Sequence, residues 1–316
     1  MIPIHFDPAT TSDDDRRHAL YRGALIVTSA TTATAQFCAF ARKLLTEAFD
    51  GLDPEQAQHA MPVEAFAAVL ADLKPRFIHH PASRTFVQTI LEERGCDLDE
   101  TYFDVPRLRS STSDGYLTTG IAYAYEPHRD TWCSAPMAQL NFWMPVYELD
   151  AENGMAFHLE HFDTPVPNSS GIYNYYLWNQ KHRAAAASNI GSDPRPMPLP
   201  ADPIDATNAV TLLPPVGGLI EFSGQHLHSS VPNTTGRTRY SIDFRTVHVV
   251  DVRAGRAAPN VDAACTGTSI RDFVRASDLT AMPDDVVAQL SDGSEDGGEL
   301  VYTANLADRS GSVADE

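Results

Sequence analysis

The sequence predicts a mainly β fold with flanking helices. Apolar residues recur at helical spacing in the front part of the chain, over about 31–95. From about residue 105 to 250 the pattern changes to short runs rich in β-branched and aromatic residues, which Pro, Gly and Asn separate. The chain has 316 residues, of which 43% are hydrophobic, so it can bury a sizeable core. Because all-β barrels of this size commonly stay single, we expect one domain over 1–316.

Three helices are predicted in the front part, at 31–49, 63–73 and 83–94. In the first of them Phe37, Phe40 and Leu44 lie three or four positions apart, which places them on one helix face. Pro75 is expected to break the chain between the second and third helices. A further helix is predicted near the end of the chain, at 283–290.

The predicted strands occupy the middle of the chain, at 117–125, 138–147, 155–159, 209–213, 218–223 and 239–250. In the second of these runs Gln139, Asn141 and Trp143 alternate with Leu140, Phe142 and Met144. Since successive side chains of a strand point to opposite faces, one face should pack while the other lines a polar space.

Four segments lie outside this pattern. Residues 1–20 are polar and expected to be irregular, and residues 21–30 look like a short strand. Residues 163–208 form a long insertion within the β region that could cover a site, since long loops in compact domains are commonly functional. Its aromatic cluster could close over a ligand or simply pack onto the sheet. The Gly/Ser/Asp/Glu-rich tail from about 291 is expected to be mobile.

Charge and cysteine usage exclude several classes of function. The formal net charge is -19, which disfavours nucleic acid and anionic membranes as partners. The four cysteines form no CxxC pair, so a thiolate zinc site or a redox dithiol is not expected. We find no signal-peptide pattern and no apolar run of about 20 residues. These features predict a cytoplasmic protein with reduced thiols and leave its oligomeric state open.

Histidines and aspartates suggest a metal site. Iron(II) oxygenases hold their metal with two histidines and one carboxylate on one face, which leaves three positions open. His-x-Asp can supply two such ligands, because residues i and i+2 of an extended segment point to the same side. The chain has three such pairs, His5/Asp7, His128/Asp130 and His161/Asp163, with His158/Glu160 as a variant. Strands flank His128/Asp130, and the chain between it and His228 is long enough to fold back, so context favours these three residues.

The segment 217–241 adds a possible anion site. Arg239 follows His228 by about one strand, so its guanidinium could grip a dicarboxylate bidentately. Ser241 shares its strand face by the period-2 rule. His226 remains an alternative to His228, and Arg237 an alternative to Arg239.

At these residues the chain resembles the Fe(II)/2-oxoglutarate-dependent dioxygenases, and within them the phytanoyl-CoA dioxygenase-like branch. The matching residues are His128-Arg129-Asp130, Glu152-Asn153-Gly154, Phe222, His228 and Arg239, and they span about 117–245. The chain departs from the family at Leu159-Glu160-His161-Phe162, where the family often has Pro-Gly-Ser-His. This departure puts the substrate contacts of that loop in doubt.

The resemblance implies a double-stranded β-helix core, also called a jelly roll and cupin-like. It implies Fe(II) on His128, Asp130 and His228, 2-oxoglutarate on Arg239 and Ser241, and O2 as the oxidant. Tyr125 and Asn141 are further candidates to contact the co-substrate or a small-molecule substrate. Because Asp130 fills the position that related halogenases leave to chloride, hydroxylation or another oxidation is favoured, with release of succinate and CO2. The alternatives are a cupin-like metal-dependent isomerase or hydrolase, and a non-catalytic binding barrel.

Overall fold

The fold is known from a computed structural model, which describes residues 2–8 and 12–294. The helices are α1 (Asp13–Tyr21), α2 (Thr32–Ala48), α3 (Val63–His79), α4 (Pro81–Glu93), α5 (Tyr175–Lys181), α6 (Val249–Ala254) and α7 (Asp284–Leu290). The strands are β1 (Ile4–Phe6), β2 (Leu25–Thr28), β3 (Thr101–Phe103), β4 (Arg107–Ser111), β5 (Leu140–Pro145), β6 (Met155–Phe157), β7 (Val210–Leu212), β8 (Leu219–Ser223), β9 (His228–Ser230), β10 (Arg239–His248) and β11 (Val274–Arg275).

The strands form two sheets. The larger has the order β1-β2-β8-β5-β10-β3-β11, with β4 also paired to β10, and the smaller has the order β7-β6-β9. An apolar cluster joins the two sheets, and its members are Leu25, Val27, Trp143, Met155, Phe157, Leu212, Ile220 and Phe222. The fold is therefore mixed and dominated by its sheets, with helices packed against the larger one, as the sequence pattern predicts at this level.

The outer face of the larger sheet carries the main apolar core. Phe37 of α2 and Phe77 of α3 are fully buried there, together with Phe142 of β5 and Phe244 of β10. Complete burial of one such side chain contributes about 2 kcal/mol. The helical front thus covers one face of the sheet, and the other face is left to line a cavity.

Strand β10 separates the two faces by simple alternation. Tyr240, Ile242 and Phe244 point into the helical core. The intervening residues, Arg239, Ser241, Asp243 and Arg245, line a cavity on the opposite side. The same holds in β5, where Phe142 packs in the core and Asn141 lines the cavity. The predicted alternation of packed and polar faces is confirmed.

The predicted strand at 117–125 is wrong, because this segment is a loop with one short turn. Several of its hydrogen bonds go to the insertion: Asp193 accepts the Gly120 N–H at 2.9 Å, and the Thr119 hydroxyl donates to the Asn189 carbonyl at 2.8 Å. Its end meets the smaller sheet at one point, where the Tyr125 carbonyl accepts the Ser230 N–H at 3.0 Å. Gly120 has a φ of +62°, in the left-handed region that interrupts a strand. The β-like composition was overridden by these long-range partners.

Helix α1 lies in the segment that was expected to be irregular. Ser12 caps it by accepting the Asp15 N–H. Arg16 and Arg17 are buried, and distant carboxylates neutralise them, Glu221 at 2.5 Å and Asp251 at 2.6 Å. Since the buried face of this helix is charged, the apolar spacing that marks other helices is absent from its sequence.

Helix α3 runs through Pro75, so the predicted break at that residue is wrong. A proline inside a helix costs about 3 kcal/mol, because it removes one N–H donor and crowds the preceding turn. Leu70 and Phe77, on either side of it, are fully buried and offset this cost. The break comes instead at Pro81, the first residue of α4, where no intrahelical donor is lost.

The remaining predictions concern the insertion and the end of the chain. The insertion, residues 163–208, contains helix α5 and several short turns. The predicted helix at 283–290 corresponds to α7. Most of the tail predicted to be mobile lies outside the described residues. Among the helices of the described ranges, none has the length and apolar character needed to cross a membrane.

Candidate metal centre

His128 and His228 lie side by side because their backbones pair. The His128 N–H donates to the His228 carbonyl at 3.0 Å, and the His228 N–H returns a bond of 3.0 Å to the His128 carbonyl. The two imidazole centroids are 4.5 Å apart. Asp130 follows at the start of a short turn, and the ligand atoms of all three side chains lie within 4.8 Å of one another. The structure therefore brings together the three residues that the sequence singled out.

Both imidazoles direct Nε2 toward the place where the three ligand atoms come together. The Nδ1 atom of His128 is 2.8 Å from the Glu126 carbonyl, and that of His228 is 2.9 Å from the His226 carbonyl. Since a carbonyl only accepts, the hydrogen-bond network assigns the proton to each Nδ1 and leaves the Nε2 lone pair free. Burial and the neighbouring His128 lower the pKa of His228 to about 3, which keeps it neutral. Neutral imidazole oriented through Nδ1 is the usual form of a histidine metal ligand.

Asp130 has one oxygen bound by the protein and one left free. Its Oδ2 accepts from the Asn141 amide at 2.8 Å and from the Gln139 amide at 3.0 Å, and the Arg245 Nε is 3.5 Å away. Its Oδ1 lies 3.7 Å from His128 Nε2. Burial alone would raise the pKa of Asp130, but Arg245 and the two imidazoles outweigh it and lower that pKa well below the usual value. The free oxygen therefore belongs to an ionised carboxylate.

Arg239 is buried and lines the same cavity. Its Nη1 donates to the carbonyls of Asn153 at 2.9 Å and Gly154 at 3.1 Å, and its Nη2 donates to the Ser230 hydroxyl at 3.3 Å. The Glu-Asn-Gly turn thus positions this guanidinium. Among the described residues, no carboxylate lies within 4.0 Å of it. Burial lowers the pKa of Arg239 to about 10, so it stays cationic at neutral pH.

Two buried polar atoms on the cavity face of β10 have no hydrogen-bond partner among the described residues. They are the Nε of Arg239 and the hydroxyl of Ser241. Both residues line the cavity. Leaving such a group unpaired costs about 1–3 kcal/mol, so a missing polar ligand is the natural explanation.

The alternative residues point elsewhere. His226 is buried away from the trio, with Nε2 at 2.8 Å from the Gly23 carbonyl. Arg237 pairs with Asp150 and lies 3.7 Å from Glu55. Neither residue lines the cavity that His228 and Arg239 share.

Sequence reasoning missed some groups that hold the site. It named Asn141 as a candidate contact of the co-substrate or substrate, and in the structure Asn141 lines the cavity and also donates its amide to Asp130. It gave no role to Arg245, which faces Asp130, although Arg245 shares the strand face of Arg239. Tyr125 stacks on His128 with centroids 5.2 Å apart, and its hydroxyl accepts from Arg109 at 2.7 Å. The period-2 rule along β10 was the available signal for Arg245.

A cavity of about 660 Å³ contains all these groups. Its size suits a small molecule, for which pockets of about 300–1,000 Å³ are common. The insertion forms one wall with Tyr173, Tyr175, Trp178 and Arg195, and α3 forms another. The aromatic cluster of the insertion therefore faces the cavity as well as packing on its own neighbours.

A second group of possible ligands, Asp14, His18 and Asp251, also lies close together. The carboxylate of Asp251 is already bound by Arg17 and Arg256, at 2.6 Å each. This cluster is therefore explained by ion pairs within the protein.

Comparison with known proteins gives structural likeness only. No family model and no curated protein matches the chain. Among solved structures, EvdO2 from Micromonospora carbonacea var. aurantiaca complexed with 2-oxoglutarate is 15% identical over 76% of this chain and 93% of that one, with a TM-score of 0.42. The epimerase SnoN in complex with Fe3+, alpha ketoglutarate and nogalamycin RO is 15% identical over 74% and 83%, with a TM-score of 0.40. The non-heme monooxygenase ThoJ is 16% identical over 70% and 71%, with a TM-score of 0.35.

Proposed function

We propose that this protein is an Fe(II)- and 2-oxoglutarate-dependent oxygenase that oxidises a small molecule. The observation that carries the proposal is a buried trio of one ionised carboxylate and two imidazoles, each imidazole with Nδ1 at a backbone carbonyl. The same cavity contains an arginine that has no carboxylate within 4.0 Å among the described residues. His128, Asp130 and His228 would hold the iron. Arg239 and Ser241 would hold the far carboxylate of 2-oxoglutarate.

The donor set fits ferrous iron. Two histidines and one carboxylate on one face are the usual ligands of non-haem Fe(II) oxygenases, whereas structural zinc is closed by four protein ligands. The Nδ1 bonds fix both rings, and the amides on Oδ2 direct Oδ1 toward them. Three coordination positions would stay open for co-substrate and oxygen.

The anion site fits a dicarboxylate. His228 and Ser230 lie on one face of β9, two residues or about 7 Å apart along the strand. The Ser230 hydroxyl accepts from Arg239 at the outer end of this span. A diacid bound to the ion by one end would reach Arg239 and the unpaired Ser241 hydroxyl with the other. Trp143, with the Arg239 guanidinium 5.6 Å above its ring, would shield that end from water.

When bound, iron and 2-oxoglutarate supply oxygen activation, with succinate and CO2 as by-products. The protein's own residues do the rest. Asn141, Gln139 and Arg245 hold Asp130, Arg239 orients the co-substrate, and the insertion limits the entry of water. Because Asp130 occupies the carboxylate position, we propose hydroxylation of the substrate and not halogenation.

We further propose that residues 1–316 form one domain with a double-stranded β-helix core of the phytanoyl-CoA dioxygenase-like branch. Two facing sheets and the backbone pairing of His128 with His228 support this. The cupin-like isomerase or hydrolase and the non-catalytic barrel are weaker candidates, because neither gives the unpaired Arg239 a ligand.

The test compares two arginines that lie two residues apart. Calorimetric titration of the iron-loaded, oxygen-free protein should show one 2-oxoglutarate site. Arg239→Gln should weaken that binding by about 100-fold, since it removes a charge-assisted contact worth 1.5–3 kcal/mol. Arg237→Gln, whose arginine pairs outside the cavity, is the matched control and should bind like wild type. Iron-loaded wild type that binds no 2-oxoglutarate would contradict the proposal.

A further inference from the structure

The cavity contains one lysine whose charge the proposed function does not explain. Most of its cations are balanced by carboxylates: Arg107 by Asp104 at 2.5 Å, Arg109 by Asp243 at 2.6 Å, Arg195 by Asp193 at 2.5 Å and Arg245 by Asp104 at 3.3 Å. Within the described residues, neither Lys74 nor Arg239 has a carboxylate within 4.0 Å. Arg183, which also lines the cavity, donates to the Asn179 amide oxygen at 2.7 Å. The proposed co-substrate accounts for Arg239, but not for Lys74.

Lys74 belongs to the face of α3 that lines the cavity. Ala71, Pro75 and Ile78 lie on the same face, at helical spacing. The ammonium is part-buried and donates to the Ile121 carbonyl, which uses one of its three donors. The two other lysines of the chain, Lys43 and Lys181, are exposed at the surface. Of the three lysines in this protein of net charge -19, Lys74 is the one that lines the cavity.

The position of Lys74 relative to the metal centre is defined by a chain of contacts. The charged groups that act on it are Arg109 of β4 and Asp243 of β10. Arg109 donates to the Tyr125 hydroxyl, and the Tyr125 ring stacks on His128. Lys74 therefore belongs to the wall that α3 forms beside β4, whereas Arg239 contacts Ser230 of β9.

We propose that Lys74 binds an anionic group of the substrate, a carboxylate or a phosphate, and so holds the reacting part of that molecule toward the metal centre. This inference rests on the proposed function, and it narrows the substrate class to small anions. Arg109 stands beside the ammonium but is already neutralised by Asp243, so Lys74 supplies the unbalanced charge.

The electrostatics of the wall agree with such a site. Burial, and then Arg109, lower the pKa of Lys74 to about 7, while Asp243 opposes them. A bound anion stabilises the ammonium form, so binding takes up a proton when the pH is above that value. Anion binding at Lys74 should therefore weaken as the pH rises above about 7.

The test is the rate of amine labelling, read for each lysine by mass spectrometry. The full chain is loaded with iron and 2-oxoglutarate without oxygen, and Lys43 and Lys181 serve as internal references. Acetate and phenylacetate probe carboxylates, inorganic phosphate and phenyl phosphate probe phosphates, and acetamide and phenylacetamide are the neutral controls. At a concentration ten times its dissociation constant, an anion that binds Lys74 should slow the labelling of Lys74 by about tenfold, by mass action. If no anion protects Lys74, or the amides protect it equally, the inference is overturned.

Two variants separate this site from the co-substrate site. Lys74→Gln should keep wild-type affinity for 2-oxoglutarate and lose the change that a protecting anion makes in the absorption of the iron complex. Lys74→Arg should retain that change but lose its dependence on pH near neutrality. If Lys74→Gln instead weakens 2-oxoglutarate binding as Arg239→Gln does, Lys74 belongs to the co-substrate and the inference fails. Failure of the proposed function is recognised separately, as absence of 2-oxoglutarate binding in wild type, and the labelling then decides the inference on the metal-free chain.

Discussion

The two ends of strand β10 carry arginines in opposite electrostatic situations. Arg245 faces Asp104 at 3.3 Å, Asp130 at 3.5 Å and Asp243 at 4.0 Å. Arg239, six residues or about 20 Å earlier along the strand, bonds to two carbonyls and a hydroxyl and lies over the Trp143 ring, and no carboxylate of the described residues pairs with it. Both side chains line the same cavity.

This contrast distinguishes a structural charge from a binding charge. The Arg245 end is neutral within the protein and needs no ligand, so its function is to hold Asp130. The Arg239 end is incomplete, because a buried cation is costly unless something pairs with it. The same distinction applies to Lys74. The ion-paired arginines of the cavity need no ligand, whereas Lys74 is proposed to bind a second anion, that of the substrate.

The largest expected effect comes from removing the carboxylate at the Arg245 end. Asp130→Ala deletes one of three proposed ligands and leaves Arg245 without its partner near the ion. We expect iron affinity to fall by more than about 100-fold, beyond the 10–100-fold typical for loss of an outer-shell partner. Metal analysis after dialysis measures this. Asp14→Ala, in the ion-paired cluster near α1, is the control and should leave iron content unchanged. Full iron retention in Asp130→Ala would remove the metal centre from this position.

A second prediction sharpens the comparison, because the two arginines should differ in their effect on stability. Without ligands, Arg245→Met breaks a buried ion-pair network and should lower the free energy of unfolding by about 3 kcal/mol. Arg239→Met removes a buried cation that has no carboxylate partner in the described residues, which offsets the loss of its bonds to two carbonyls and a hydroxyl, so it should change the free energy of unfolding by less than about 1 kcal/mol. Urea unfolding of the metal-free proteins gives both values. Equal destabilisation by the two substitutions would mean that Arg239 is structural and that the contrast is false.

The sequence predicted two of the three proposed metal ligands from local geometry and the third from the strand pattern around it. His128 and Asp130 are two residues apart in an extended segment, and a strand pattern surrounds His228, so few arrangements are possible. Arg239 and Ser241 followed from the same rule within one strand. Helix α2 and helix α7 were likewise predictable from apolar spacing and their bounding residues.

The rest depended on contacts between distant segments. That Asn141 would bind Asp130, and that Arg245 would face it, follows from the β5–β10 register, in which these two residues are paired. No local pattern encodes that register. Helix α1 was not predicted, because its buried arginines are neutralised by Glu221 and Asp251, which lie far away in the sequence. Lys74 lies just beyond the predicted end of the second helix at residue 73, in the part of α3 that continues through Pro75.

The smallest expected effect is that of a substitution at Ser241, which lies between the two arginines in β10. The Ser241 hydroxyl is fully buried and has no hydrogen-bond partner in the described part of the chain. Ser241→Ala should therefore leave the stability of the ligand-free protein unchanged or slightly higher, since no internal bond is lost. It should weaken 2-oxoglutarate binding about fivefold, which corresponds to one neutral hydrogen bond of about 1 kcal/mol.

Calorimetry of the iron-loaded protein and urea unfolding of the metal-free protein measure these two quantities. Ser229→Ala serves as the control for 2-oxoglutarate binding, because the Ser229 hydroxyl lies 3.5 Å from His158 Nε2, on the other face of β9 from His228 and Ser230. A loss of stability in Ser241→Ala with unchanged 2-oxoglutarate affinity would show that this hydroxyl serves the fold. Of these two residues of β10, Arg239 alone would then bind the co-substrate, and Ser241 would not contribute.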